Sequence, residues 1–308
     1  MPENAFPSSP TDVLRLGASG VDHLLDVLEV RVPTRPAYVE IPRTPGGAAF
    51  VFGDTHGDWR STLEAVRAFE AGGSSSVLVG LGDYVDRSPA DLPGGAVANA
   101  LYLLALEARL PDRVFLLQGN HETMRRIGAF PHTLPDEVER LWGPEMGRYD
   151  RLMGLLERGP LAASAACGAY LAHAGFPRGK LPDRWSDALA HPDNDRLVEL
   201  VWSGCDVTNA WRGGIRPWGA PDLERFLDQS GLSTVWRGHD PDLSGRPLYD
   251  GRVMTLHTTR LYERYGGVLL AVLPLDRPLS TVTDAELRHL ATETRHADRG
   301  TQRPSGPV

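Results

Sequence analysis

Phe50-Val51-Phe52-Gly53-Asp54-Thr55-His56-Gly57 and Val79-Gly80-Leu81-Gly82-Asp83-Tyr84-Val85-Asp86-Arg87 are apolar runs that stop at glycine and turn at once to carboxylate, imidazole or guanidinium. The pattern recurs at Leu116-Leu117-Gln118-Gly119-Asn120-His121-Glu122 and at Leu171-Ala172-His173-Ala174-Gly175. Buried strands that hand over polar residues at their C-terminal ends line one crevice of an α/β sheet. The glycines permit tight turns there and let an ion or a phosphate come close to the backbone. The reading is an α/β fold whose strand ends carry a binuclear metal site.

Working outward, apolar runs at 234–236, 253–256 and 268–273 join those at 48–52, 77–81, 114–117 and 170–172 as strands. Helical patterns separate them at 22–30, 60–71, 95–109, 145–156 and 222–229, the last with Asp222 as N-cap after Pro221. Helical crossovers between buried strands follow. Residues 1–12 and 289–308 are proline-rich or polar and read as flexible tails around a single domain, 13–288.

Composition narrows the function classes. With 308 residues and 41% apolar content the chain can build a substantial core. A net charge of −8 argues against a nucleic-acid backbone as partner, so any anionic substrate must meet a local positive site. There is no run of about 18 apolar residues and no signal-peptide pattern, so no membrane partner is expected and the cytoplasm is the expected location. Cys167 and Cys205 have neither the number nor the spacing of a disulfide framework or a thiolate zinc site, and read as free thiols.

Asp54 and His56 lie two apart, so an extended turn points both to one side, where oxygen and nitrogen hold one ion. Asp83, from the next strand, is a carboxylate able to bridge two ions. Asn120, His173 and the later His239 of Trp236-Arg237-Gly238-His239 complete a second site. This mixture of donors suits manganese, iron or zinc better than calcium or magnesium, and does not choose among the three. Taken singly, each residue is ordinary: an Asp after Gly is commonly a turn former, and a lone strand-end His is commonly structural. Together, in glycine-flanked turns after separate apolar runs, they specify a site. The histidines at 23, 132, 191, 257, 289 and 296 lack such contexts and read as structural or solvent-facing; His257 is the one to inspect, because it ends an apolar run.

Gly-Asp-x-His-Gly, Gly-Asp-x-x-Asp-Arg and Gly-Asn-His-Glu, intact and in this order, resemble the phosphoprotein phosphatase (serine/threonine phosphatase-like) branch of the calcineurin-like metallophosphoesterases, over 48–262. The resemblance implies two mixed β-sheets sandwiched between helices, an α/β/β/α arrangement. It assigns Asp54, His56 and Asp83 to a first metal and Asp83, Asn120, His173 and His239 to a second, in agreement with the spacing. The cofactors implied are two divalent transition-metal ions, foremost Mn2+, with iron or zinc as alternatives.

The same resemblance makes Arg87 and Arg212, with Asn120, the phosphate-binding residues; a planar guanidinium matches phosphoryl oxygens bidentately, and Arg216 is close enough to compete with Arg212. His121 becomes the acid that protonates the leaving oxygen, oriented by Asp86. Glu122 buttresses this region. Tyr262 is either a tyrosine near the substrate or an ordinary core or rim residue. The implied activity is phosphomonoester hydrolysis by a metal-bridging hydroxide, with Ser88 and Ser203 outside any recognisable nucleophile turn. A phosphorylated protein is the expected substrate. The alternative is a phosphorylated metabolite, a biosynthetic intermediate or a dinucleoside polyphosphate, motivated by Trp202, Trp211 and Trp218 around Arg212. A third reading, a silent fold used as a binding module, is disfavoured by the full set of ligands. Gln118, Ser88 and Ala174 depart from the family pattern, as does the segment before Tyr262, which lacks Ser-Ala-Pro-Asn. None removes a ligand; they leave the substrate open.

Overall fold

The computed structural model describes residues 6–144, 146–208 and 216–291. Two five-stranded sheets pack face to face. In the first, β1 (Tyr38–Ile41), β5 (Ala162–Ala165), β6 (Ala169–Ala172), β7 (Thr234–Arg237) and β8 (Val253–Thr255) are neighbours in that order; in the second the order is β10 (Glu286–His289), β9 (Leu269–Pro274), β2 (Ala48–Phe52), β3 (Val77–Gly80) and β4 (Val114–Leu116). Strand β2 explains the layering. Its Ala49 and Val51 enter the core between the sheets with Leu171, Trp236 and Met254, whereas Phe50 and Phe52 enter the core under the helices. Both faces of the strand are therefore buried, and the run reads as uniformly apolar rather than alternating.

The helices α3 (Trp59–Ala71) and α4 (Gly95–Arg109) are the crossovers that make β2, β3 and β4 parallel. Every residue of α4 from Gly95 to Ala108 is buried, because α1 (Pro10–Leu14), α2 (Ala18–Arg31), α5 (Leu134–Trp142) and α6 (Met146–Leu156) pack around it. On the other flank α7 (Asn194–Val201) and α8 (Ala220–Ser230) cover the first sheet through Leu197, Leu200, Leu223 and Phe226. The sandwich is thus helix, sheet, sheet, helix, as expected.

Several elements differ from the reading of the sequence. Helix α1 starts at Pro10, inside the stretch expected to be a tail, with the Asp12 carboxylate accepting from the Ser9 amide at 2.9 Å. Asp222 is not an N-cap. Helix α8 is capped at Gly219, and Asp222 is its third residue, reaching back to accept from the Gly219 amide at 3.3 Å. Pro221 sits in the first turn, where its missing N–H is no loss, so the helix begins before the proline rather than after it. His289, the first residue of the expected C-terminal tail, ends β10. Cys167 and Cys205 are buried and free. Among the described residues no helix is long and apolar enough to cross a membrane.

Strand direction positions the site. β2, β3 and β4 run parallel and side by side in one sheet, and β6, β7 and β8 do so in the other. A parallel bridge between Asp54 and His257 joins the two sets just beyond β2 and β8.

Candidate metal centre

Asp54, Asp83, Asn120, His173 and His239 leave the ends of β2, β3, β4, β6 and β7 and converge in one buried pocket; none is more than 7% exposed. Ligand-capable atoms of His56, Asp83 and His121 lie within 4.8 Å of one another, and so do those of Asp83, His173 and His239. Asp83 belongs to both groups. Its Oδ2 is 3.6 Å from His56 Nε2 and 3.5 Å from His173 Nε2. Asp54 Oδ2 lies 3.9 Å from His56 Nε2.

Tautomers follow from the backbone. His56 Nδ1 lies 3.0 Å from the Val85 carbonyl and His173 Nδ1 lies 3.0 Å from the Leu81 carbonyl. A carbonyl can only accept, so both rings carry the proton on Nδ1 and turn a bare Nε2 lone pair inward. His173 Nε2 then meets the Asn120 amide oxygen at 2.9 Å, and His239 Nδ1 lies 3.1 Å from the same oxygen. The bare His173 Nε2 and the Asn120 oxygen face each other as two acceptors, which a cation between them would satisfy, while His239 Nδ1, 3.2 Å from His173 Nε2, can donate to either when no ion is bound. Two ligands about 2.1 Å from a common ion are about 3.0–3.4 Å apart at right or tetrahedral angles; Asn120, His173 and His239 stand 2.9–3.2 Å apart, and the contacts of Asp83 and Asp54 with His56 and His173 are wider, at 3.5–3.9 Å. The donor set therefore fits divalent ions.

The electrostatics point the same way. Burial lifts Asp83 to about 7 and, with Asp83 nearby, lifts Glu122 to about 8, while burial lowers His56 to about 3. Burial works against ionising Asp54 as well, yet His257, His173 and His56 hold it well below the usual carboxylate range. Such a pocket buries two carboxylates among imidazole nitrogens, and a bound cation offsets the cost of ionising the carboxylates there.

The chain accepts strain to build this arrangement. His56, Asp83, Asp86, Arg87 and His239 all have positive φ, between 44° and 71°, a conformation that costs of order 1–3 kcal/mol per non-glycine residue. Gly238 permits a close approach, since a Cβ there would meet Asp54 Oδ1 at 2.1 Å. Glu122 braces the turns: its carboxylate accepts from the amides of Asp83 at 2.7 Å, Tyr84 at 2.9 Å and Gly119 at 2.9 Å. Glu122→Ala orphans these buried donors at about 1–3 kcal/mol each, and is expected to lower stability by about 2–5 kcal/mol, read as a drop in the urea midpoint.

Beside the candidate ligands, His121 Nδ1 donates to Asp86 Oδ2 at 2.6 Å, and its Nε2 is buried with no hydrogen-bond partner among the described residues. Asp86 also accepts from the amides of Thr133 at 2.6 Å and Leu134 at 2.7 Å, and faces His132 Nδ1 at 3.2 Å. His132, read from sequence as structural or solvent-facing, continues this chain to the Tyr149 hydroxyl at 2.9 Å. Nothing in the sequence pairs it with Asp86, since it lies in a loop 46 residues away. Arg87 donates to the Tyr262 hydroxyl at 3.0 Å and to the Phe130 carbonyl at 3.1 Å, which brings Tyr262 into the site. Arg212 and Trp211 lie outside the described residues. Trp218 is fully buried in the core and is no wall of the site, whereas the Trp202 ring stands edge-on to His239 at 5.6 Å between centroids. Ser88, at a departure from the family pattern, accepts from the Ala96 amide at 2.8 Å and donates to Glu137 at 2.6 Å, so it ties the site loop to the start of α4.

Comparison with known proteins adds to this geometry. The family model for calcineurin-like phosphoesterase matches residues 49–243. The chain is similar to the serine/threonine-protein phosphatase 4 catalytic subunit of Eremothecium gossypii, 27% identical over 243 residues, covering 75% of this chain and 74% of that one. It is 26% identical over 245 residues to the subunit of that name from Saccharomyces cerevisiae, covering 75% of each. Among solved structures, a protein serine/threonine phosphatase from Saccharomyces cerevisiae superimposes with a TM-score of 0.68 at 22% identity, over 95% of this chain and 91% of that one. A cold-active protein-tyrosine phosphatase of a Shewanella species gives 0.53 at 17% identity, over 86% and 84%. At these identities the structural likenesses establish the fold, two mixed sheets between helices.

Proposed function

The chain belongs to the calcineurin-like phosphoesterase family, and on that premise we propose that it is a binuclear metal-dependent phosphomonoesterase acting on phosphoserine or phosphothreonine in proteins. The observation that carries this reading is Asp83, shared by two ligand clusters at the ends of parallel strands from both sheets. Its relatives named as serine/threonine-protein phosphatases support the substrate class.

In this reading Asp54, His56 and Asp83 hold one ion, and Asp83, Asn120, His173 and His239 hold the other, with Mn2+ the metal we favour from the mixed oxygen and imidazole donors. Two such ions, when bound, supply activated water near neutral pH and offset charge on the phosphoryl oxygens. Arg87 and Arg212 clamp the remaining phosphoryl oxygens. As water oxygen bonds to phosphorus and the ester P–O bond breaks, His121 Nε2 gives its proton to the departing alkoxide, the ring being held toward it by the bond from Nδ1 to Asp86.

The test is a substrate panel on manganese-loaded protein. Phosphoserine and phosphothreonine peptides should be hydrolysed at least about tenfold more efficiently than phosphorylated metabolites or a dinucleoside polyphosphate, a difference of about 1.4 kcal/mol in transition-state binding. The reverse order would give the enzyme a small-molecule substrate. Chelation should abolish turnover on every substrate, and re-addition of Mn2+ should restore it; full activity in the chelated protein would refute metal dependence.

A further inference from the structure

We propose that His257 is a protein ligand of the first metal, through Nε2, in addition to Asp54, His56 and Asp83. This rests on the binuclear reading above and assigns one more residue to it.

Three adjacent parallel strands, β6, β7 and β8, each deliver a histidine at the same edge: His173, His239 and His257. His257 is completely buried; its Nδ1 has no hydrogen-bond partner among the described residues, and its Nε2 meets only the Asp54 carboxylate, without the geometry of a good hydrogen bond. A buried imidazole in that condition costs stability unless something occupies it. Its Nε2 lies 3.3 Å from Asp54 Oδ2, within the spacing expected of two ligands on one ion. The side of Asp54 matters. Oδ2 is the oxygen near His56 Nε2; Oδ1 faces His173 Nδ1 at 3.9 Å, and the His239 amide donates to Oδ1 at 3.1 Å while also reaching Oδ2 at 3.3 Å. His257 therefore approaches the Asp54 oxygen that also lies nearest His56, while standing outside the two tight clusters that share Asp83.

The backbone holds it there. Besides the bridge between Asp54 and His257, the Thr258 amide donates to the Asp54 carbonyl at 3.0 Å, the Leu269 amide donates to the His257 carbonyl at 2.8 Å, and the Gly53 amide donates to Thr258 Oγ1 at 3.0 Å. A side chain anchored to the same ladder as Asp54 can hold a ligand distance closely. The protein donors otherwise assigned to the first ion are only Asp54, His56 and Asp83, one of them shared, which leaves room for another. His257 lies within the segment where this sequence departs from the family pattern ahead of Tyr262.

The experiment counts nitrogens rather than activity. In metal-stripped full-length protein carrying His239→Ala, the second site is disabled and a single Mn2+ reports on the first. Pulsed EPR with 15N-histidine should detect two directly coordinated nitrogens, and one after His257→Ala is added, with Mn2+ affinity lower by at least about tenfold. His257→Gln keeps buried volume and a hydrogen-bond donor toward Asp54 but offers no imidazole, and it too should lose one nitrogen. If His257→Gln recovers the parent affinity, or if the nitrogen count is unchanged in both variants, His257 only positions Asp54 and the proposal is overturned. Should His257→Ala fail to fold, the glutamine variant decides. Two Mn2+ per parent chain with an unchanged nitrogen count would sink this inference alone; a parent chain that binds no Mn2+ would sink the binuclear reading with it.

Discussion

Asp83→Asn is expected to strip metal and turnover together, lowering kcat/KM by at least about a thousandfold, because the bridging charge contributes several kcal/mol of transition-state stabilisation and each 1.4 kcal/mol is a factor of ten. The substitution keeps the shape. An amide oxygen can still accept from the His121 amide, which now reaches Asp83 Oδ1 at 3.1 Å. It removes only the negative charge common to the clusters around His56 and His173. The stability of the metal-stripped protein makes the test specific. Burial raises Asp83 from an ordinary 3.8 to about 7, so in the absence of metal its ionisation disfavours the fold. That cost appears as pH rises above the unfolded value, and is complete once pH exceeds the folded one. Stripped Asp83→Asn should therefore unfold at no lower a temperature than the stripped parent at pH 8, while its metal content, read by elemental analysis, falls. Unchanged metal content and rate would show that Asp83 bridges nothing.

Much of the site is legible in the sequence because its geometry is set by strand ends, and strand ends are marked locally. A uniformly apolar run must be buried on both faces, a glycine must follow where the chain turns sharply, and the next polar residue must then project into the crevice. Asp54, Asp83, Asn120, His173 and His239 all carry that local mark, and all meet in one pocket. The helix 95–109 is also legible, to the residue, from apolar periodicity and length. What escaped is held by long-range contacts. β5 is Ala-Ala-Ser-Ala, with no β-branched or aromatic residue to announce a strand, and it exists because β1 and β6 pair on either side of it. His132 reaches Asp86 only because α5 begins where it does, with Thr133 and Leu134 amides pointing at that carboxylate. His257 lacks a glycine beside it, so the pattern that singled out the candidate ligands marked it only as a histidine to inspect at the end of an apolar run.

His121→Asn should separate proton transfer from metal binding. His121 sits 5.2 Å from His56 between ring centroids and shares a cluster with His56 and Asp83, so position alone allows it to be a ligand. Its hydrogen bonding sets it apart from His56 and His173, whose Nδ1 atoms meet backbone carbonyls: its Nδ1 meets a carboxylate, the partner that the acid reading assigns to it. Nδ1 is committed to Asp86, and Asp86 is itself fixed by two backbone amides and by His132, whose hydrogen bond, together with that of His121, outweighs burial and keeps the carboxylate ionised. With Nδ1 committed to Asp86, Nε2 is the nitrogen left facing the site. A ligand would need that nitrogen bare; an acid needs it protonated. The variant is therefore expected to retain both ions and to lose about 10²- to 10⁴-fold in kcat on phosphoserine peptides, where the leaving alkoxide must be protonated. On an activated aryl phosphate, whose leaving group departs as a stable anion, the loss should be less than about tenfold, since that step asks little of an acid. Equal losses on both substrates, accompanied by a missing ion, would make His121 a metal ligand and leave Asp86 as the group that orients it.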